Sequence, residues 1–235
     1  MFRFRRGKEP TTSSFDSHGH DHDHLHEHDE VEEALKLAES KSGRRKLLVG
    51  GIGNFALMGV AVLAAAKGQA DPTLIEAAHN VGDTGYYMVP WLASMRSHIH
   101  SASAIKWMRG SSYAAATLAV AGAAHSTYEA VAYGSVHPEL FTVPTQVALA
   151  VGNYAIARYV DKDPGNSKVE QAANRHAWAD ARTSTYAAIG NVAAFVFAPM
   201  NAISALFVAG VTIKTERTTI NETSDALRKM KDATS

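Results

Sequence analysis

The stretch IEAAHNVGDTGYYMVPWLA, residues 75–93, is mostly apolar but contains Glu76, His79 and Asp83. An α-helix rises 1.5 Å per residue, so about twenty residues cover the roughly 30 Å hydrocarbon core of a bilayer. Residues four positions apart lie on one face of a helix. The stretch therefore predicts an apolar helix that presents His79 and Asp83 side by side.

A second stretch, NRHAWADARTSTYAAIGNVAAFVF at residues 174–197, repeats this spacing with His176 and Asp180. An ionisable side chain in the middle of a bilayer costs roughly 2.5–3.5 kcal/mol on insertion scales, and a bound cation would offset that cost. Two facing pairs would supply two nitrogens and two oxygens, a tetrahedral set that suits Zn²⁺ at about 2.0–2.2 Å per ligand. The alternative is an interhelical network of His–Asp hydrogen bonds without a metal.

Composition narrows the possible functions of this 235-residue chain. Charged residues make up 20% of it and concentrate in the first 46 and last 20 or so residues, whereas long apolar runs fill the middle. The chain has no cysteine, so any metal site must use histidine and carboxylate ligands. A net charge of zero argues against a nucleic-acid partner.

Apolar runs separated by charged or turn-forming clusters predict an all-α bundle of six transmembrane helices. The first run, residues 47–66, carries no charge. A proline in the motif APMNA, at Pro199, is expected to divide the last long run into two spans. The predicted spans are 47–66, 74–95, 110–133, 140–157, a fifth from about 171 to Pro199, and a sixth from there to 213.

Basic residues in alternate loops predict the orientation of these spans. Lys and Arg accumulate on the cytoplasmic side of membrane proteins. They are frequent before span one, between spans two and three, between four and five and after six, whereas the opposite loops contain only Lys67. The pattern predicts an integral protein of the inner or plasma membrane with both termini in the cytoplasm. A soluble, alanine-rich helical bundle is the alternative.

The N-terminal segment SHGHDHDHLHEHDEVEE alternates histidine with acidic residues. Such a sequence cannot form a core, so residues 1–33 are predicted to be a disordered cytoplasmic tail. Because neutral imidazole is a common metal ligand, the tail is interpreted as a collector of divalent cations, or else as a solvated polar tail. The histidines concerned are His18, His20, His22, His24, His26 and His28.

The paired motifs resemble those of the cation diffusion facilitator family of zinc transporters. In that family, second spans of the type ALADALHN are similar to IEAAHNVGD, and fifth spans are similar to HAWADARTSTYAAIGNVAAF. The segment YEAVAYGSVHPE at residues 128–139 adds to the resemblance, which extends from about residue 47 to 217. The resemblance implies that His79, Asp83, His176 and Asp180 are the metal ligands.

The resemblance also sets expectations for the domains and the assembly. Residues 34–217 would form the six-span domain and 218–235 a short cytoplasmic tail, without the C-terminal ferredoxin-like domain that family members commonly carry. A homodimer is expected. Arg182, two positions after Asp180, departs from the family pattern and is expected to pair with Asp180 or Glu76, or to face the lipid headgroups.

Further candidate ligands lie outside the two pairs. His98 and His100 lie in the loop after span two, where the resemblance implies an additional zinc site in some relatives. Glu76 is interpreted as a pathway carboxylate or a support for the metal ligands. His125 and Glu129 share the four-residue spacing, and hydrogen bonding to neighbouring helices is the preferred interpretation for them.

The sequence thus predicts a secondary transporter, not an enzyme, that exports Zn²⁺ from the cytoplasm by proton antiport. Metal ligands must lose their protons to bind an ion, which couples the two fluxes. The site would also accept Co²⁺, Cd²⁺, Fe²⁺ or Mn²⁺. The alternatives are a non-transporting membrane sensor or accessory protein, and a soluble metal-binding bundle.

Overall fold

The computed structural model of the chain describes residues 35–95, 101–162 and 168–232. Within these residues the chain forms long α-helices and no strand, so the predicted all-α class is confirmed. The histidine-rich tail, His98 and His100 lie outside the described residues. A short helical segment at residues 35–37 precedes six long helices, which are α1 (Lys41–Gly68), α2 (Asp71–Met95), α3 (Ser101–Ala132), α4 (Thr142–Val160), α5 (Lys168–Val196) and α6 (Met200–Asp232).

The helix ends follow from local backbone chemistry. Ser40 caps the N-terminus of α1, where its hydroxyl accepts a hydrogen bond from the Gly43 N–H at 2.8 Å. Gln69 ends the same helix in the left-handed region, at φ 52°. Pro199 directly precedes α6, where the missing N–H costs no helical hydrogen bond. The helix break predicted around Pro199 is therefore present.

Helix α2 is the central element of the bundle. It packs against α1, α3, α5 and α6; α4 completes the bundle by packing against α1 and α5, and α6 packs against α3 and α5. Glycines allow the close approach, since a Cβ built at Gly85 would lie 1.9 Å from the hydroxyl oxygen of Ser111 on α3. Because four helices surround α2, its polar side chains face other helices.

The bundle buries small and polar side chains and exposes large apolar ones. Asn54, Gln146 and Asn191 are completely buried, and most of the buried apolar residues are alanines. By contrast, Phe55 and Leu63 on α1 are 61% and 65% exposed. In water-soluble domains large apolar side chains are among those most often buried. In this bundle many large apolar side chains are exposed instead, and small or polar side chains fill much of the interior.

Of the helices in the described chain, α1 alone is both long and apolar enough to cross a membrane by length and composition. The sequence predicts six such helices. The others fall short because buried polar residues interrupt their apolar runs, such as His79 and Asp83 in α2 and Gln146 and Asn153 in α4. Length and hydropathy therefore identify α1 alone, among the described helices, as a candidate membrane-spanning helix.

Helix α6 passes residue 217, the predicted end of the six-span domain, without a break. Its 33 residues make it about 50 Å long. Near its end, Ala226 and Leu227 pack against a core cluster that includes Leu37 and Leu47. The segment predicted to be a terminal tail therefore continues α6 through Asp232.

Candidate metal centre

Four side chains from α2 and α5 meet in a closed ring of nitrogen–oxygen contacts. His79 Nε2 lies 3.5 Å from Asp83 Oδ2 and 3.5 Å from Asp180 Oδ1. His176 Nε2 lies 3.2 Å from Asp83 Oδ1 and 3.8 Å from Asp180 Oδ1. All four side chains are buried. The structure thus brings together both pairs singled out in the sequence, and we call them the four-residue ring.

The distances within the ring suit atoms that share an ion. Hydrogen bonds from N–H to oxygen are typically about 2.7–3.2 Å long, and three of the four ring contacts are longer. Within the described chain, neither ring nitrogen of His79 and no carboxylate oxygen of Asp83 or Asp180 forms a hydrogen bond. Four ligands at about 2.0–2.2 Å from a tetrahedral zinc ion lie about 3.3–3.6 Å from one another. The observed contacts scatter around that range, and one ligand atom each from Asp83, His176 and Asp180 lie within 4.8 Å of one another, so these three members of the ring could hold a divalent cation.

A third carboxylate, Glu216 of α6, faces the other nitrogen of the His79 imidazole. Its Oε1 lies 3.6 Å from His79 Nδ1, and its side chain is 4% exposed. His79, Asp83 and Glu216 form one group of candidate ligand atoms within 4.8 Å of one another, and Asp83 also belongs to a second group with the two α5 residues of the ring. A Cβ at Gly82 would lie 2.1 Å from Glu216 Oε1. The absence of a side chain at Gly82 is what admits Glu216 to this position.

Two tyrosines of α2 hold the His176 imidazole in place. The Tyr86 ring stacks on it, with the centroids 4.0 Å apart and the planes 22° from parallel. The Tyr87 ring meets it nearly edge-on, with a centroid distance of 5.6 Å. Both tyrosines are buried. Helix α2 therefore supplies two ring residues and also the packing that orients a third.

Glu76 lies one turn before His79 but belongs to a separate polar network. The side-chain amides of Gln146 and Asn153, both on α4, donate hydrogen bonds to its Oε2 and Oε1, the second at 3.4 Å. The Thr73 hydroxyl donates to Gln146 Oε1 at 2.7 Å. Neither group of candidate ligand atoms includes Glu76. The structure places this carboxylate beside the four-residue ring and not in it.

A further polar contact fixes the level at which α2 and α6 begin. Both the Ser126 hydroxyl and the Asn201 side-chain amide donate to Asp71 Oδ2, at 2.7 and 3.1 Å. Since Asp71 and Asn201 stand at the starts of α2 and α6, the two helices begin side by side. At 1.5 Å per residue, His79 lies about 12 Å and Glu216 about 22 Å along their helices from that level. The site therefore lies about one third to one half of the way along these two helices, inside the bundle.

Arg182 is exposed and forms no ion pair with Asp180 or Glu76 in the part of the chain that the structure describes. It lines a cleft of about 470 Å³ between α5 and α6, together with Lys214 and His176. The expected pairing with either acid is thus not formed. The ring is accessible from this cleft through His176.

The His125–Glu129 pair shows that the four-residue spacing alone does not make a buried site. His125 Nε2 lies 3.4 Å from Glu129 Oε1, but the two side chains are 56% and 42% exposed. They lie on the surface of α3, outside both groups of candidate ligand atoms. The pair provides a matched control for the buried ring.

Glu216 was missed because the sixth span was expected to end at residue 213, before the charged cluster KTER. The helical period contains a signal for it. Thr212, Glu216 and Thr219 lie on one buried face of α6, whereas Lys214 and Arg217 are exposed. Continuing the period of 3.6 residues through the charged cluster would have placed Glu216 inward.

No protein-family model and no curated protein matches the sequence. The chemistry of the site therefore follows from its donor set and geometry. Imidazole nitrogen and carboxylate oxygen suit Zn²⁺ and other divalent first-row metals. The buried His, Asp and Glu groups could hold such an ion.

Proposed function

We propose that the protein is an integral membrane transporter that exports Zn²⁺, or a divalent cation with similar ligand preference, from the cytoplasm in exchange for protons. The observation that carries the proposal is the four-residue ring, in which two imidazoles and two carboxylates from α2 and α5 converge in the interior. This is the activity that the resemblance to cation diffusion facilitators implies. The Zn²⁺ ion is the cargo, and no covalent step is involved.

The outer surface of the bundle supports a membrane location for the helices beyond α1. Large apolar side chains are exposed along α3, α4, α5 and α6, including Leu118 on α3 at 49%, Val151 on α4 at 61%, Ile189 on α5 at 61% and Phe207 on α6 at 56%. Extended apolar surfaces of this kind mark contact with lipid or with other proteins. Polar residues inside a membrane bundle are expected to face its interior, as the buried amides here do.

The charges of the site support a cation as cargo. Asp83, Asp180 and Glu216 place three carboxyl groups around two imidazoles in a buried region. Burying several like charges is costly unless a counter-ion or protons compensate them. A metal ligand must be deprotonated to bind, so metal and protons compete for the same atoms. Movement of α2 against α5 would expose the ring to either side of the membrane in turn.

Flux measurements in proteoliposomes test the proposal. Zn²⁺ uptake is followed with a metal-sensitive dye and proton movement with a pH-sensitive dye in the same vesicles. Wild-type protein is expected to move both, and His176→Ala is expected to abolish both because it removes one ring nitrogen. His125→Ala, which removes a surface histidine with the same spacing, is expected to transport normally. Metal binding without flux in the wild type would contradict transport and favour a non-transporting metal-binding membrane protein.

A further inference from the structure

We propose that the site offers two adjacent positions to one ion: the four-residue ring, and a second position formed by His79, Asp83 and Glu216. This inference rests on the proposed function and extends it by adding Glu216 as a ligand. It also assigns His79 as the residue through which the ion passes from one position to the other.

The His79 imidazole supports two positions because its two nitrogens face different carboxylates. Nε2 lies 3.5 Å from Asp180 Oδ1, whereas Nδ1 lies 3.6 Å from Glu216 Oε1. The side chain is 1% exposed, and neither nitrogen forms a hydrogen bond to any described residue. A neutral imidazole has one nitrogen with a free lone pair and one that carries a proton. It can therefore bind an ion on one side while donating its N–H to the carboxylate on the other.

Asp83 connects the two positions, because it belongs to both groups of candidate ligand atoms. Sharing Asp83 and His79 means that the positions compete, and one ion is held at a time.

The number of Zn²⁺ ions bound per purified chain, measured in detergent, tests this arrangement. Glu216→Gln leaves the ring intact, and Asp180→Asn leaves the Glu216 position intact, so each variant is expected to bind one ion with reduced affinity. The double variant is expected to bind none at a Zn²⁺ concentration that saturates both single variants. Gly82→Ala in the Asp180→Asn background should reproduce this loss, because the added Cβ would lie 2.1 Å from Glu216 Oε1. Glu222→Gln in the same background is the control, since Glu222 is a buried glutamate of α6 outside both groups.

Three outcomes would overturn the inference. If Asp180→Asn alone binds no ion, or if the double variant binds as well as Asp180→Asn, Glu216 does not form a second position. If the wild type binds two ions at saturation, the positions do not exclude one another. In each of these cases the ring and the proposed function still stand, whereas a wild type that binds no Zn²⁺ would remove both.

Discussion

Replacing Asp180 by asparagine separates an ion site from a purely structural hydrogen-bond network. Asp180 Oδ1 lies 3.5 Å from His79 Nε2 and 3.8 Å from His176 Nε2, and neither of its oxygens forms a hydrogen bond within the described residues. Asparagine has nearly the same volume, so packing is retained. The substitution also removes a negative charge beside Asp83. The free energy of unfolding of the zinc-free protein is therefore expected to stay constant or to increase.

The stabilisation by zinc is expected to fall sharply in the same variant. Losing an outer partner of a metal ligand costs about 10–100-fold in affinity, so losing a ligand should cost about 100-fold or more. At a free Zn²⁺ concentration 100 times the wild-type Kd, binding stabilises the folded protein by about 2.7 kcal/mol. A variant with 100-fold weaker affinity gains about 0.4 kcal/mol at that concentration.

Thermal unfolding in detergent, with and without Zn²⁺, measures both effects in one series. Glu129→Gln serves as the matched control, since it makes the same chemical change in the exposed His125–Glu129 pair. It should leave the zinc response unchanged. A zinc-free Asp180→Asn protein that is less stable than the wild type but responds normally to Zn²⁺ would refute the ion-site reasoning and identify Asp180 as a packing residue.

Three further predictions concern the surroundings of the site and the membrane. Glu76→Gln should lower the free energy of unfolding by about 1–3 kcal/mol. The side-chain amides of Gln146 and Asn153 donate to the two oxygens of Glu76, so in the variant one of these donors would face the new N–H donor of glutamine. Thermal unfolding of the zinc-free protein measures this. Gly50→Val should lower the free energy of unfolding by about 1–3 kcal/mol through overpacking, since a Cβ at Gly50 would lie 2.8 Å from Tyr87 Cδ1. Because Tyr87 contacts His176, Zn²⁺ titration of this variant should also show weaker binding. An unchanged Zn²⁺ affinity would contradict the role of Tyr87 in orienting His176. Washing membranes with alkaline carbonate should leave the protein in the pellet, and its release would show that the exposed apolar surface does not contact lipid.

The approximate positions of the six long helices could be predicted because apolar runs alternate with turn-forming clusters. The break before α6 follows from the chemistry of Pro199. The helices extend beyond the predicted spans: α1 includes residues 41–46 before the span predicted from 47, and α3 includes residues 101–109 before the span predicted from 110. Polar turns that extend a helix beyond its apolar run carry no hydropathy signal. The residues at which such helices begin and end are therefore set by capping and by tertiary packing.

The candidate site was predictable where its residues repeat a local spacing. The pairs on α2 and α5 follow the four-residue period, and the structure shows them in contact. Glu216 stands alone on α6 and reaches His79 only because Gly82 leaves room for it. The role of Tyr86 depends on a ring contact across two helices, which no local pattern encodes. That the ring binds a metal remains a prediction.

Helix α6 connects the buried Glu216 to Asp232 without a break. From Glu216 to Asp232 the helix extends about 24 Å. A tilt of about 5° around Glu216 moves its far end by about 2 Å, since a helix transmits rotation along its whole axis. A rotation of α6 about Glu216 is therefore largest at Asp232, where a spectroscopic label could follow it.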